Sequence, residues 1–141
     1  MARIFWDTNL FIYLIEDNGP LADRVEAVWR GMRERGDRLY TSALTLGELL
    51  TKPVREGRRD LEQRYTHLFR NTLITVLPFD VGVAPSYARI RTDRSIRPPD
   101  AIQLACAAST GADLFITNDD RLSRKLVPEI KFITSLERAP F

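Results

Sequence analysis

Short β-branched and aromatic runs alternate along this chain with longer stretches whose apolar residues recur at helical spacing. Arg3-Ile4-Phe5-Trp6 reads as a short buried strand, and Asp7-Thr8-Asn9 is a helix start leading into the apolar run Leu10 to Ile15. Glu16 to Pro20 breaks that helix, and a second follows from about Leu21 to Arg35, with Leu21, Val25, Val28, Trp29 and Met32 on one stripe and Gly36 as its stop. Arg38 to Thr41 is a second strand. Ser42 is placed to cap a helix from Ala43 to Thr51, which Pro53 is expected to end or kink. A charged helix is expected from Val54 to Asn71, with Leu61, Tyr65, Leu68 and Phe69 as its apolar stripe. Leu73 to Leu77 is β-branched and reads as strand three, after which Pro78-Phe79-Asp80 turns into a helix from about Val81 to Thr92. Pro98-Pro99-Asp100 opens a nearly all-apolar helix, Ala101 to Ala108, closed by Gly111. Asp113 to Thr117 is strand four, and Lys131-Phe132-Ile133 is a short edge strand.

Strands alternating with helices imply a parallel sheet with helices on both faces, and 141 residues without repeat, low-complexity tract or linker suit one domain, residues 1–141. Sites in such sheets form beyond the carboxyl ends of the strands. Asp7 and Asp119 follow strands directly, while Glu48 and Asp100 sit early on helices that reach the same edge. Each acid has an ordinary structural explanation alone: Asp7 and Asp100 as helix-start residues, Glu48 as an exposed helical position, Asp119 as turn chemistry. Asp120 is an equal candidate for the fourth position. Together, three or four crowded carboxylates repel one another unless protons or a cation neutralise them, and oxygen donors of this kind suit Mg²⁺. Gly47 beside Glu48 is a position where a small residue would let another segment approach.

Composition narrows the picture. The 44% hydrophobic content supports a real core, and no apolar run is long enough to span a membrane. The opening stretch to Asp7 is too short and too soon interrupted by an acid to be a signal peptide. Cys106 is the only cysteine, so no intramolecular disulfide forms; its apolar neighbours mark an inert core thiol, and a reducing cytoplasm fits. The net charge is only +2, but 18 of the 21 basic residues are Arg, the side chain whose fork matches phosphate oxygens. Lys52, Arg55, Arg58 and Arg59 form one basic group, and Arg89, Arg91, Arg94 and Arg97 another; each is a candidate phosphate-backbone contact or a solvated helix face partly balanced by Glu56, Asp60 and Asp93. Trp29 and Tyr65 fit core stripes, and the lone His67 is read as exposed or structural.

These motifs resemble, in order and over nearly the whole chain, the PIN-domain family and within it the VapC-type toxins of bacterial toxin–antitoxin pairs. Ile4-Phe5-Trp6-Asp7-Thr8-Asn9 is similar to the family's opening strand and Asp-Thr/Ser-Asn signature. Thr41 to Leu49 is similar to its second motif, Pro99 to Ala105 to its third, and Phe115-Ile116-Thr117-Asn118-Asp119 to its fourth. The resemblance implies a three-layer α/β/α sandwich with a mainly parallel central sheet. It implies a Mg²⁺- or Mn²⁺-dependent endoribonuclease in which Asp7, Glu48, Asp100 and Asp119 form the acidic, metal-binding pocket, with Thr8, Asn9 and Thr117 in support. It further implies 5′-phosphate and 3′-hydroxyl product ends, a homodimer, and a small antitoxin whose helix lies near the second to fourth helices and places a basic side chain at the pocket.

Three other readings compete. A receiver-like phosphoacceptor domain calls for paired acids after the first strand and a Lys after a late one; this chain has Asp-Thr-Asn and Thr-Asn-Asp there. A haloacid-dehalogenase-like phosphatase calls for Asp-x-Asp, but Asn9 occupies the second Asp position. A non-catalytic PIN-like RNA-binding or assembly module has no need of the complete acid quartet.

Overall fold

A computed structural model describes residues 1–17, 19–70 and 73–140. Five strands, β1 (Arg3–Trp6), β2 (Arg38–Ser42), β3 (Ile74–Leu77), β4 (Leu114–Thr117) and β5 (Phe132–Ser135), form one sheet in the order β3-β2-β1-β4-β5. Every neighbouring pair is parallel, with Phe5 of β1 opposite Tyr40 of β2 and Phe115 of β4. The helices are α1 (Thr8–Glu16), α2 (Pro20–Arg35), α3 (Ala43–Arg55), α4 (Arg59–Phe69), α5 (Ala84–Ile90) and α6 (Pro98–Ser109).

Period-two alternation in the strands sorts the core into two halves. Ile4 and Trp6 face one way and join Leu10, Phe11, Val25, Val28, Met32, Leu49, Leu61 and Tyr65 from α1 to α4. Phe5 faces the other way, stacks on Phe115 with centroids 5.1 Å apart, and joins Leu104, Ala105, Cys106 and Ile90 from α5 and α6. The layers are therefore α/β/α, as the sequence pattern implies. Burial drives the Cys106 thiol up to about 11, which keeps it protonated and unreactive. Trp29 packs edge-on against Trp6, Tyr65 is fully buried, and His67 is exposed.

The chain runs from β1 outward through β2 to β3 on one side, then crosses to β4 and β5 on the other. The order reverses between β1 and β4, and a crevice opens beyond the carboxyl ends of strands at such a switch point.

Several boundaries differ from the sequence reading. Helix α3 does not stop at Thr51: it continues to Arg55 with Pro53 inside its last turns. Pro53 is buried, so its packing offsets the lost backbone donor. The helix expected from Val54 to Asn71 is two pieces, because Gly57 adopts φ +66 and the Arg58 N–H turns back to the Pro53 carbonyl at 2.8 Å before α4 begins. The expected end at Asn71 lies outside the described residues. Helix α5 is shorter than Val81 to Thr92, since Val81 and Gly82 form a turn. The edge strand is β5, one or two residues later than its expected position.

Candidate active site

Asp7 is the residue after β1, at the switch point. It caps α1, its Oδ1 accepting from the Thr8 N–H at 2.8 Å, and it is only 8% exposed. Its other oxygen accepts the Thr117 hydroxyl at 2.7 Å. Thr117 ends β4, so its side chain meets the residue that follows the neighbouring strand β1. The same Thr117 oxygen accepts the Asp119 N–H at 3.1 Å, which shapes the loop after β4. Asn9 Oδ1 accepts the Asn118 N–H, and the Asn118 amide donates to the Tyr13 hydroxyl, so α1 also braces that loop.

Glu48 lies on the exposed side of α3, where its Oε1 accepts the Thr8 hydroxyl at 2.6 Å. Behind it is a buried polar knot that sequence reasoning missed. Gln103, 1% exposed on α6, donates to Thr45 Oγ1 at 2.7 Å and Thr8 Oγ1 at 3.1 Å, with a longer approach to Glu48 Oε1 at 3.5 Å. Its carbonyl oxygen accepts the Ser42 hydroxyl. The one signal available was an amide alone in the apolar run of α6, since a buried amide must find partners. Gly47 does not admit a neighbouring segment: a methyl group there would meet nothing within 4 Å.

Asp100 sits in the first turn of α6, and Asp119 follows β4. Each has an exposed Arg beside it, Arg97 at 3.8 Å and Arg121 at 3.9 Å. Asp119 Oδ1 also accepts the N–H groups of Arg121 and Leu122. Asp120 is exposed and lines a separate hollow with Ser123, Arg124 and Arg138, so of the two neighbours it is Asp119 that lies beside Asp100.

Electrostatics links the four acids. Burial, reinforced by the charges of Asp100 and Glu48, raises Asp7 to about 6 against the lowering effect of Thr117 and Thr8. Asp100 is also raised, first by burial and then by Asp119 and Glu48, with Arg97 and Arg121 opposing. Asp7 and Glu48 are held by neutral donors, whereas Asp100 and Asp119 have Arg neighbours. Among the described residues, no three His, Cys, Asp or Glu side chains stand close enough to form a ready metal centre. Glu48 is drawn toward Thr8, and the outer pair lies toward Arg97 and Arg121. The donor set is all carboxylate oxygen, the chemistry that a hard cation such as Mg²⁺ or Mn²⁺ takes. A larger concavity of about 720 Å³ along α4, between Arg59 and Arg70, touches none of the four acids.

Residues 4–126 match the PIN domain family model. Ribonuclease VapC23 of Mycobacterium tuberculosis is 32% identical over 124 residues, spanning 85% of this chain and 95% of that protein. Among solved structures, VapBC2 from Rickettsia felis bound to a promoter DNA fragment superposes with TM-score 0.75 at 17% identity, covering 94% of this chain and 98% of that one. Mycobacterium tuberculosis VapC20, described as a toxin cleaving the sarcin–ricin loop, superposes with TM-score 0.72 at 18% identity over 90% of this chain and 98% of that one. The strand order, the switch-point acid and the sequence match agree: this chain belongs to the PIN-domain family and resembles its VapC members.

Proposed function

We propose that this chain is a divalent-metal-dependent endoribonuclease and the toxin of a type II toxin–antitoxin pair. The observation that carries the reading is Asp7: a buried carboxylate at the switch point, held only by neutral donors, with Glu48 and Asp100 near enough to raise its pKa. Family membership and the 32% identity to a protein named a ribonuclease support RNA as the polymer cut.

Asp7, Asp100 and Asp119 would hold Mg²⁺ or Mn²⁺, with Glu48 beside them. When bound, the cation supplies positive charge that stabilises the phosphoryl oxygens and makes water a better nucleophile. Thr117 fixes the Asp7 carboxylate, leaving it one orientation. Glu48, exposed and aimed by the Thr8 hydroxyl, takes the proton of the attacking water. The water oxygen bonds to phosphorus as the bond to the 3′ oxygen breaks, and that oxygen takes a proton from solvent. The products carry 5′-phosphate and 3′-hydroxyl ends. Gln103, Thr45 and Ser42 hold α3 and α6 in register beneath the site.

The same reading makes the chain a cytoplasmic homodimer restrained by a small antitoxin. Support for the antitoxin comes from the VapBC assemblies that share the fold. Among the described residues no helix is long and apolar enough to cross a membrane. Calorimetric titration with Mn²⁺ in the absence of RNA tests the site. Wild type is expected to bind, and Asp7→Asn to bind about tenfold or more weakly; equal affinity in the two proteins would contradict the assignment.

A further inference from the structure

A cleft of about 360 Å³ lies between the end of α1, the last turns of α3 and the start of α4, lined by Ile15, Glu16, Lys52, Arg58, Leu61 and Arg64. Three of the six are cations and one is an acid. Leu61 is 1% exposed and contributes almost no accessible surface, so Ile15 is the one apolar residue the cleft can offer a ligand. Glu16 is occupied: it accepts the Tyr65 hydroxyl and pairs with Lys52 at 3.6 Å. Burial and that carboxylate push the Tyr65 phenol far above its ordinary value, which keeps it a donor. Arg64 donates to the Ile15 carbonyl at 2.8 Å, which holds its guanidinium over the end of α1. Arg58 pairs at 3.3 Å with the highly exposed Asp60, an interaction weak in water.

The cleft is connected to the acid site through α3. Lys52 follows Glu48 by four residues, so the two share a face, with Lys52 about 6 Å farther along the axis. Contacts at both ends of α1 fasten it to that face, Thr8 to Glu48 and Glu16 to Lys52. An RNA strand cut at the four acids must cross a surface that repels it, and positive charge one helical turn away is where its next phosphates can be held.

We propose that Lys52, Arg58 and Arg64 form a phosphate-binding subsite that holds the RNA backbone to one side of the scissile bond. The proposal rests on the ribonuclease reading and deepens it by giving the substrate a direction, from the acids along the seam of α1 and α3 toward α4. The structure divides the basic group expected from sequence: Lys52 and Arg58 line this cleft, Arg59 lines the separate concavity on α4, and Arg64, which sequence spacing did not nominate, completes the set. A polar cationic wall suits a sugar-phosphate backbone, whereas a protein helix would call for an apolar one.

The test is binding of a short fluorescent single-stranded RNA of mixed sequence in EDTA, measured by anisotropy over a range of salt. Three proteins are compared: Asp7→Asn, the same protein carrying K52Q, R58Q and R64Q, and the same protein carrying the charge-preserving set K52R, R58K and R64K. The neutral triple is expected to lose affinity at low salt, with its slope of log affinity against log salt shallower by about 2. The charge-preserving set is expected to keep the slope, and circular dichroism melting shows whether all three fold. An unchanged slope in a folded neutral triple overturns the subsite while leaving the ribonuclease reading standing. Absence of any salt-dependent RNA binding by Asp7→Asn itself overturns both.

Discussion

The Thr8 hydroxyl donates to Glu48 Oε1 at 2.6 Å, joining the first turn of α1 to the middle of α3. Thr8 thereby aims a carboxylate that is otherwise exposed and free to choose rotamers. Thr8→Val keeps the shape, removes the donor to Glu48 and takes the more distant acceptor from the Gln103 amide, which keeps Thr45. Because Glu48 is exposed, the stability loss is expected to be modest, about 1 kcal/mol, measurable by urea denaturation. The larger effect is expected in single-turnover cleavage, with kcat reduced and KM for RNA little changed. Thr8→Ser should restore most of the rate.

Gln103 is buried among hydroxyls that have few alternatives. Gln103→Leu fills similar space but removes the buried acceptor of the Ser42 hydroxyl and the amide donor shared by Thr45 and Thr8. A loss of about 2–3 kcal/mol is expected, read as a lower urea midpoint with unchanged m-value. A neutral outcome would mean the knot is not a stabilising element.

Asp7 couples stability to pH. Its folded-state value of about 6 lies above the ordinary aspartate value of 3.8, so the native state holds this proton more tightly than the unfolded chain does. That contribution is fully present below pH 3.8 and is lost as pH rises through 6. At neutral pH the charged carboxylate then costs up to about 3 kcal/mol. Asp7→Asn is therefore expected to melt higher than wild type above pH 7, and to lose that advantage as pH falls toward 4. Saturating Mn²⁺ should raise the wild-type melting temperature at pH 8 more than that of the variant.

Asp119 and Asp120 are neighbours in sequence with different surroundings. Asp119→Asn is expected to lower cleavage by two orders of magnitude or more, in line with roughly 2.7 kcal/mol of lost transition-state stabilisation. Asp120→Asn should cleave like wild type in the same assay.

Much of the fold was legible because β1 and β4 are short, mostly buried on both faces and followed at once by polar residues: Trp6-Asp7 and Thr117-Asn118 mark both the end of a strand and the edge of the site. The order of those strands was not legible, yet it is the placement of β1 between β2 and β4 that sets Asp7 against Thr117. Pro53 misled because its cost depends on tertiary packing, and burial in the last turns of α3 offsets it. The break at Gly57 was visible as a glycine among charged residues, but only its positive φ shows that the chain reverses there. Gln103 was hidden by its neighbours: apolar periodicity describes a face and says nothing of one amide that crosses it. Arg64 joins Lys52 and Arg58 only through the packing of α4 on α1 and α3, which no local spacing encodes.

The central claim is that the acids around Asp7 cut RNA with a divalent cation. Its most direct test is cleavage of a mixed RNA pool by purified protein with Mg²⁺ or Mn²⁺, with EDTA, and with Asp7→Asn alongside. The expected result is cutting by wild type with the metal alone, absent in EDTA and absent in a variant that is folded and at least as stable. Cutting that persists in EDTA, or in Asp7→Asn at the wild-type rate, would contradict the claim.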